Sequence, residues 1–80
     1  MDTITIGLAR VGDAPGIAAM SRVLVESGLP WSWTPRRVAA HVRERENLAV
    51  TARSGRSLVG FGLAQFGDAT VHLSLLAVAT

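Results

Sequence analysis

The sequence of 80 residues has no cysteine, no lysine and no tyrosine, and only two tryptophans and two phenylalanines. Without cysteine there is no disulfide, no thiolate metal site and no thiol nucleophile, which fits a reducing compartment. Without lysine all positive charge is arginine. That lifts the sequence pI to 11.2 although the net charge is only +2, too sparse a basic surface for a nucleic-acid binder. No apolar run nears the roughly 20 residues of a membrane span. The opening "MDTITIGLAR" lacks the basic-then-apolar pattern of a secretory leader. The expectation is a cytoplasmic protein with no nucleic acid and no membrane among its partners. What is present is apolar: 49% hydrophobic residues and a mean hydropathy of +0.34 argue against disorder. A chain this short is one small domain, burying only about 60% of its unfolded surface.

"TITIGL" alternates Ile4, Ile6 and Leu8 with Thr3, Thr5 and Gly7, which predicts a half-buried strand. Asp13 is placed to cap a helix running to about Ser27, with Pro15 in its first turn. Ile17, Met20 and Leu24 form its apolar stripe, widened by Ala14 and Val23. Gly28, Leu29 and Pro30 read as the stop. Thr34-Pro35 opens a second helix with cap and first-position residues in order. Its apolar side is Val38, Ala39 and Val42, and Arg43, Glu44 and Arg45 form its wet end. Arg36 and Arg37 place two cations where the helix dipole disfavours them, so an anion or nearby carboxylate is expected to offset them. Leu48–Arg53 and Ser57–Phe66 read as a hairpin about Ser54-Gly55, and Gly67-Asp68 turns the chain into a last strand from Thr70 to Val78. On the return strand Val59, Phe61 and Leu63 are assigned to one face, and Leu58, Ala64 and Phe66 to the other. The terminal "HLSLLAVAT" (72–80) reads as a strand buried on both faces. Two helices cover one face of such a sheet, so the other needs a cover from elsewhere.

Few residues announce chemistry. His41 and His72 are the only histidines, without metal-ligand spacing, so no metal site is expected. "GFGLAQFG" brings its third glycine too late for a dinucleotide loop. Alternate glycines in a strand point instead to a bulge or a close approach by another backbone or a ligand. There is no G-x-S-x-G elbow; Ser74 and His72 merely share a strand face, and Asp68 and Glu46 sit at turns. "TPRRVAAHVRER" lacks helix–turn–helix spacing, and Arg–Glu pairing accounts for its charge. Trp31 and Trp33 lie in the loop between the helices, where one can line a pocket while the other packs inward. Core packing and substrate contact both remain open for them. No side chain identifies itself as a catalytic acid or base.

The β-α-α-β-β-β order, together with "RSGRSLVGFGLAQF" and "HLSLLAVAT", resembles the N-terminal half of a GNAT-type (Gcn5-related) N-acetyltransferase. The hairpin matches that family's "a..g..lvGf..l" and the last strand its "hl..LaV.p". The resemblance covers nearly the whole chain. It implies an α/β (α+β) half-domain: a mostly antiparallel four-stranded sheet with two helices, lacking the C-terminal half. It also implies acetyl-CoA as co-substrate and a small-molecule or peptide amine as acceptor. By the same resemblance the backbone of Leu76, Ala77 and Val78 holds the cofactor's pantetheine arm and polarises its thioester, and Trp31, Trp33, Arg36 and Arg37 meet the acceptor. The family's [QR]xxGx[GA] pyrophosphate loop would begin where this sequence stops at Thr80, and its usual late tyrosine acid has no counterpart. Residues 1–80 are therefore expected to be a partial acetyltransferase domain, inactive or nearly so alone, with a homodimer or a complementing chain among its partners. The alternative is a non-catalytic remnant or interaction module that pairs through an exposed sheet edge.

Overall fold

The computed structural model describes residues 3–79. The elements are β1 (Ile4–Leu8), a 3-10 turn (Val11–Asp13), α1 (Ala14–Leu24), α2 (Pro35–Arg43), β2 (Asn47–Ser54), β3 (Ser57–Phe66) and β4 (Val71–Val78). The strands lie in chain order, β1-β2-β3-β4, and each pairing is antiparallel. The architecture is the expected α+β one, a four-stranded sheet with both helices on one face.

The core lies between helices and sheet. Ala14, Ile17 and Ala18 of α1 and Val38 of α2 pack on Ala49, Phe61, Leu63 and Ala77. The buried side of α1 is Ala14, Ile17, Ala18 and Ser21, an i, i+3, i+4, i+7 stripe. It is rotated from the predicted one: Ile17 is buried, but Val23 and Leu24 are exposed. The helix also ends at Leu24 rather than near Ser27. The amides of Val25 and Glu26 both reach back to the Ser21 carbonyl, and Glu26 turns inward instead of continuing the helix. Gly28 does adopt the left-handed conformation, φ +80°, but in the loop beyond. At the other end Asp13 does not cap α1 through its side chain. Its carboxylate turns back to accept from the Arg10 amide and pairs with Arg53 at 2.7 Å, tying the helix start to β2. Thr34 does cap α2, its hydroxyl accepting from the Arg37 amide, with Pro35 in the first turn.

The β2–β3 turn is Gly55-Arg56, one residue later than predicted, because Ser54 pairs with Ser57. Of the two turn residues only Gly55 has positive φ, at +60°, the pattern of a type II′ hairpin. Two register breaks shape the sheet. Between β2 and β3, Ala52 faces Gly60 and Arg53 faces Leu58, so Val59 is an extra residue. The bulge turns Leu58 to the helix side, where its Cδ2 lies 3.4 Å from where a Gly16 Cβ would stand, not to the face opposite Phe61. Between β3 and β4, Leu63 faces Leu75 and Ala64 faces Leu73, so Ser74 bulges out.

Among the described residues nothing covers the other face of the sheet. Ile4, Ile6 and Leu8 were expected to be half-buried, yet they stand on this bare face, 51%, 66% and 73% exposed. The register explains it: Gly7 pairs with Thr51, which lies under the helices, and Leu8 pairs with Val50, whose side chain points the opposite way. The last strand is likewise not buried on both faces. Leu75 and Ala77 meet the core, whereas Val71, Leu73, Leu76 and Val78 are all more than half exposed. Thr80, which ends that stretch, lies outside the described residues.

Candidate functional site

The loop from α1 to α2 is organised by one buried carboxylate. Glu26 accepts from the Ser21 hydroxyl, from the Ser32 amide and hydroxyl, and from the Trp33 amide. The Ser32 hydroxyl contributes most to lowering its pKa. Burial acts in the opposite direction, and the Ser32 amide, the Ser21 hydroxyl and the Trp33 amide add to the lowering, so that the pKa falls from 4.5 to about 2. Glu26 thereby holds Ser32 and Trp33 in place. Nothing in "VLVESGLPW" marks this acid as more than a loop residue; its partners lie five to seven positions away and meet only once α1 has stopped.

The two tryptophans take different roles. Trp31 packs against the core, its ring under the Arg22 guanidinium at 5.0 Å, and its indole Nε1 is buried without a hydrogen-bond partner among the described residues. Trp33 also touches the core but lines a cavity of about 270 Å³, together with Arg37, Ala40, His41, Glu44, Asn47 and Gln65. Arg37 lies over the Trp33 ring at 3.9 Å and donates to the Ser32 carbonyl. The unfavourable helix-start cation is thus offset by an aromatic face and a carbonyl rather than by a carboxylate. Arg36 is exposed and lines neither this cavity nor the one described below.

His41 is a buried residue of the cavity's lining. Its Nε2 is 3.2 Å from the Leu48 carbonyl, which only accepts, so Nε2 carries the proton. Nδ1 is then free to accept from the Asn47 amide at 3.2 Å, and that amide also donates to the His41 carbonyl. Trp33 meets the imidazole edge-on at 5.7 Å. His41 is therefore a buried histidine with both ring nitrogens hydrogen-bonded. Among the described residues no three His, Cys, Asp or Glu side chains gather into a metal-binding group. No described helix is long and apolar enough to cross a membrane.

The outer edge of β4 has no strand partner among the described residues. The Ala79 amide donates to the Val59 carbonyl at 2.7 Å, and in an antiparallel ladder alternate residues face the partner strand. Ala79 and Ala77 accordingly turn their backbone towards β3. The Ala77 carbonyl oxygen lies 3.0 Å from where a Cβ on Gly60 would stand, the close approach that the alternate glycines predict. Leu76 and Val78 turn their N–H and C=O groups to the open edge. Near the end of β4, a second, apolar cavity of about 410 Å³ is lined by Met20, Val23 and Leu24 of α1 with Leu58 and Ala79. Of the predicted residues, Trp33 and Arg37 thus lie at the polar cavity and Leu76 and Val78 on the strand edge, while Trp31, Arg36 and Ala77 belong to neither.

No protein-family model matches this chain, and no curated protein matches it. Among solved structures, the fold is similar to that of a ribosomal-protein-alanine N-acetyltransferase from Brucella melitensis biovar Abortus 2308. The TM-score is 0.74 at 18% identity, over 96% of this chain and 57% of that one. The chain thus spans little more than half the length of that structure.

Proposed function

We propose that this chain is a partial GNAT-type N-acetyltransferase domain, in which acetyl-CoA gives its acetyl group to an amine of a small molecule or peptide. The open edge of β4 carries the reading. It offers the outward N–H and C=O groups of Leu76 and Val78 beside a shared fold, and a pantetheine arm, which contains two amides, pairs with such an edge as a further strand does. Acetyl-CoA supplies an activated thioester. An outward amide on this edge is a preorganised donor for its carbonyl, needing no apolar side chain to change. Ala77, turned towards β3, contributes packing rather than a bond to the cofactor.

The acceptor belongs in the cavity of Trp33 and Arg37, with Arg36 at most on its approach. Gln65 in that cavity is three residues along β3 from Gly62, the partner of Leu76, roughly 10 Å at strand rise. An acceptor seated there reaches the thioester only with an extended arm, which favours a peptide or a long amine. A complementing segment or chain supplies the pyrophosphate contacts, and the compartment is the cytoplasm.

Calorimetric titration of acetyl-CoA into the 80-residue chain tests the reading. Saturable binding without turnover is expected, and it should vanish in Val78→Pro, which removes an outward N–H on an edge that tolerates proline. No heat at millimolar acetyl-CoA would favour the second reading, a non-catalytic interaction module, for which the uncovered sheet face speaks. Steady turnover by the homogeneous chain would refute the need for a complement.

A further inference from the structure

The bare face of the sheet is large and, among the described residues, without charge. Eight of its side chains, on β1, β3 and β4, are about half to nearly three-quarters exposed: Ile4, Ile6 and Leu8, Phe66 and Val71, and Leu73, Leu76 and Val78. At about 100 Å² each they leave roughly 800 Å² of contiguous apolar surface. That exceeds what a monomer of this size ordinarily exposes and equals one partner's share of a standard protein interface. At the centre of this face β3 contributes glycine. Val50 Cγ2 and Leu76 Cδ1 lean over Gly62, within 3.3 and 3.5 Å of where a Cβ would stand, and Val78 and Ala52 close over Gly60 in the same way. The charged side chains of the sheet lie elsewhere: Arg53 is on the helix side with Asp13, and Arg56 is in the hairpin turn.

We propose that a second copy of this chain covers this face, the two sheets packing about a two-fold axis into a sandwich roughly 10 Å between layers. A two-fold interface requires a surface complementary to itself. A face whose described residues carry no charge meets that requirement, since among them no charge is buried without a partner and none meets its like. A helix or loop from an unrelated partner would need grooves that the leaning Val50 and Leu76 have filled. The chain also lacks the other devices that hold small domains together, having no cysteine and, among the described residues, no metal-binding group. The interface leaves the β4 edge free, so this inference does not depend on the acetyltransferase reading.

Sedimentation equilibrium of the 80-residue chain from low micromolar to several hundred micromolar tests it. A monomer–dimer equilibrium is expected. Leu8→Arg and Leu73→Arg, on the two edge strands of the sheet, should each weaken it roughly a hundredfold or more, because each variant buries a charge without a partner in an apolar interface. Val23→Arg, exposed on α1, should leave it unchanged. A monomer throughout the range overturns the proposal. So does a dimer that Leu73→Arg breaks and Leu8→Arg leaves intact, because that marks pairing along the β4 edge. Should either arginine variant fail to fold, the wild-type chain still decides. Its fluorescence with an apolar-surface dye, per mole of chain, should rise on dilution as the faces separate, and a constant value refutes the dimer.

Discussion

Leu63→Ala is the substitution from which the core model has most to lose. Leu63 is fully buried at the middle of β3, beneath Ile17 and Val38, with Ala49 beside it on β2 and Leu75 on β4. Truncation removes the transfer energy of three heavy atoms and leaves a void. The small neighbours Ala49 and Ala18 cannot swing into that space, and Phe61 is fixed by its own burial. The cost should fall in the middle of the range for buried leucines, about 3–4 kcal/mol. A domain of this size has on the order of 4–12 kcal/mol in total, so the variant loses a large share of its stability. At 4–8 °C per kcal/mol the melting temperature should fall by roughly 12–30 °C. Thermal unfolding followed by far-ultraviolet circular dichroism, at a concentration where the chain is monomeric, measures this directly. The matched control is Leu73→Ala, one strand over but on the bare face and 65% exposed, which should cost less than about 0.5 kcal/mol in the monomer. Equal losses for the two variants, or a loss below 1 kcal/mol for Leu63→Ala, would refute the assignment of the core to the helix side.

Gly60→Val should destabilise by about 1–3 kcal/mol, because its Cβ would stand 3.0 Å from the Ala77 carbonyl oxygen; faster hydrogen exchange localised to β4 would confirm the displacement. Glu26 has its carboxyl held at about 2 against an ordinary 4.5. Its contribution is therefore complete above about pH 4.5 and is lost as pH falls towards 2. Denaturant midpoints of the wild type should decline through that window more steeply than those of Glu26→Gln, and parallel pH profiles would exclude the carboxylate as the anchor of the loop. Arg37→Ala uncovers one face of the Trp33 ring and should cost about 0.5–1 kcal/mol, with a change in tryptophan fluorescence; an unchanged emission spectrum would show that the stacked geometry is not kept in solution.

Element order was legible because its signals are local. Thr34-Pro35, the glycine-bearing turns and the strand patterns each act within a few residues, and the structure follows them. What was not legible is which side of a strand faces the helices. Ile4, Ile6 and Leu8 look like the inner face of β1 by composition, but cross-strand register decides the matter, and Gly7 opposite Thr51 puts them outside. Leu58 was misplaced for a related reason: the bulge at Val59 reverses alternation, and no residue type in "SLVGFG" announces which position is extra. At the cavity, Trp33 stood out by residue type and Arg37 by its place in the first turn of a helix, while their assignment to an acceptor came only from the family resemblance. Glu26 and the His41–Asn47 pair were missed as organisers, because their bonds span five to seven positions and exist only in the folded loop.

Strand order also sets the sequence of assembly. β2, β3 and β4 follow one another through tight turns and adjoin in the same order, so that meander gathers by short-range contacts. β1 reaches β2 only after a loop of about 40 residues, carrying both helices, has closed, and the entropy of that closure makes its pairing the late step. A strand that docks last, along one edge and with its apolar side bare, is also the first to leave. The N-terminal strand is thus the natural point at which this chain opens, whatever covers the face beside it.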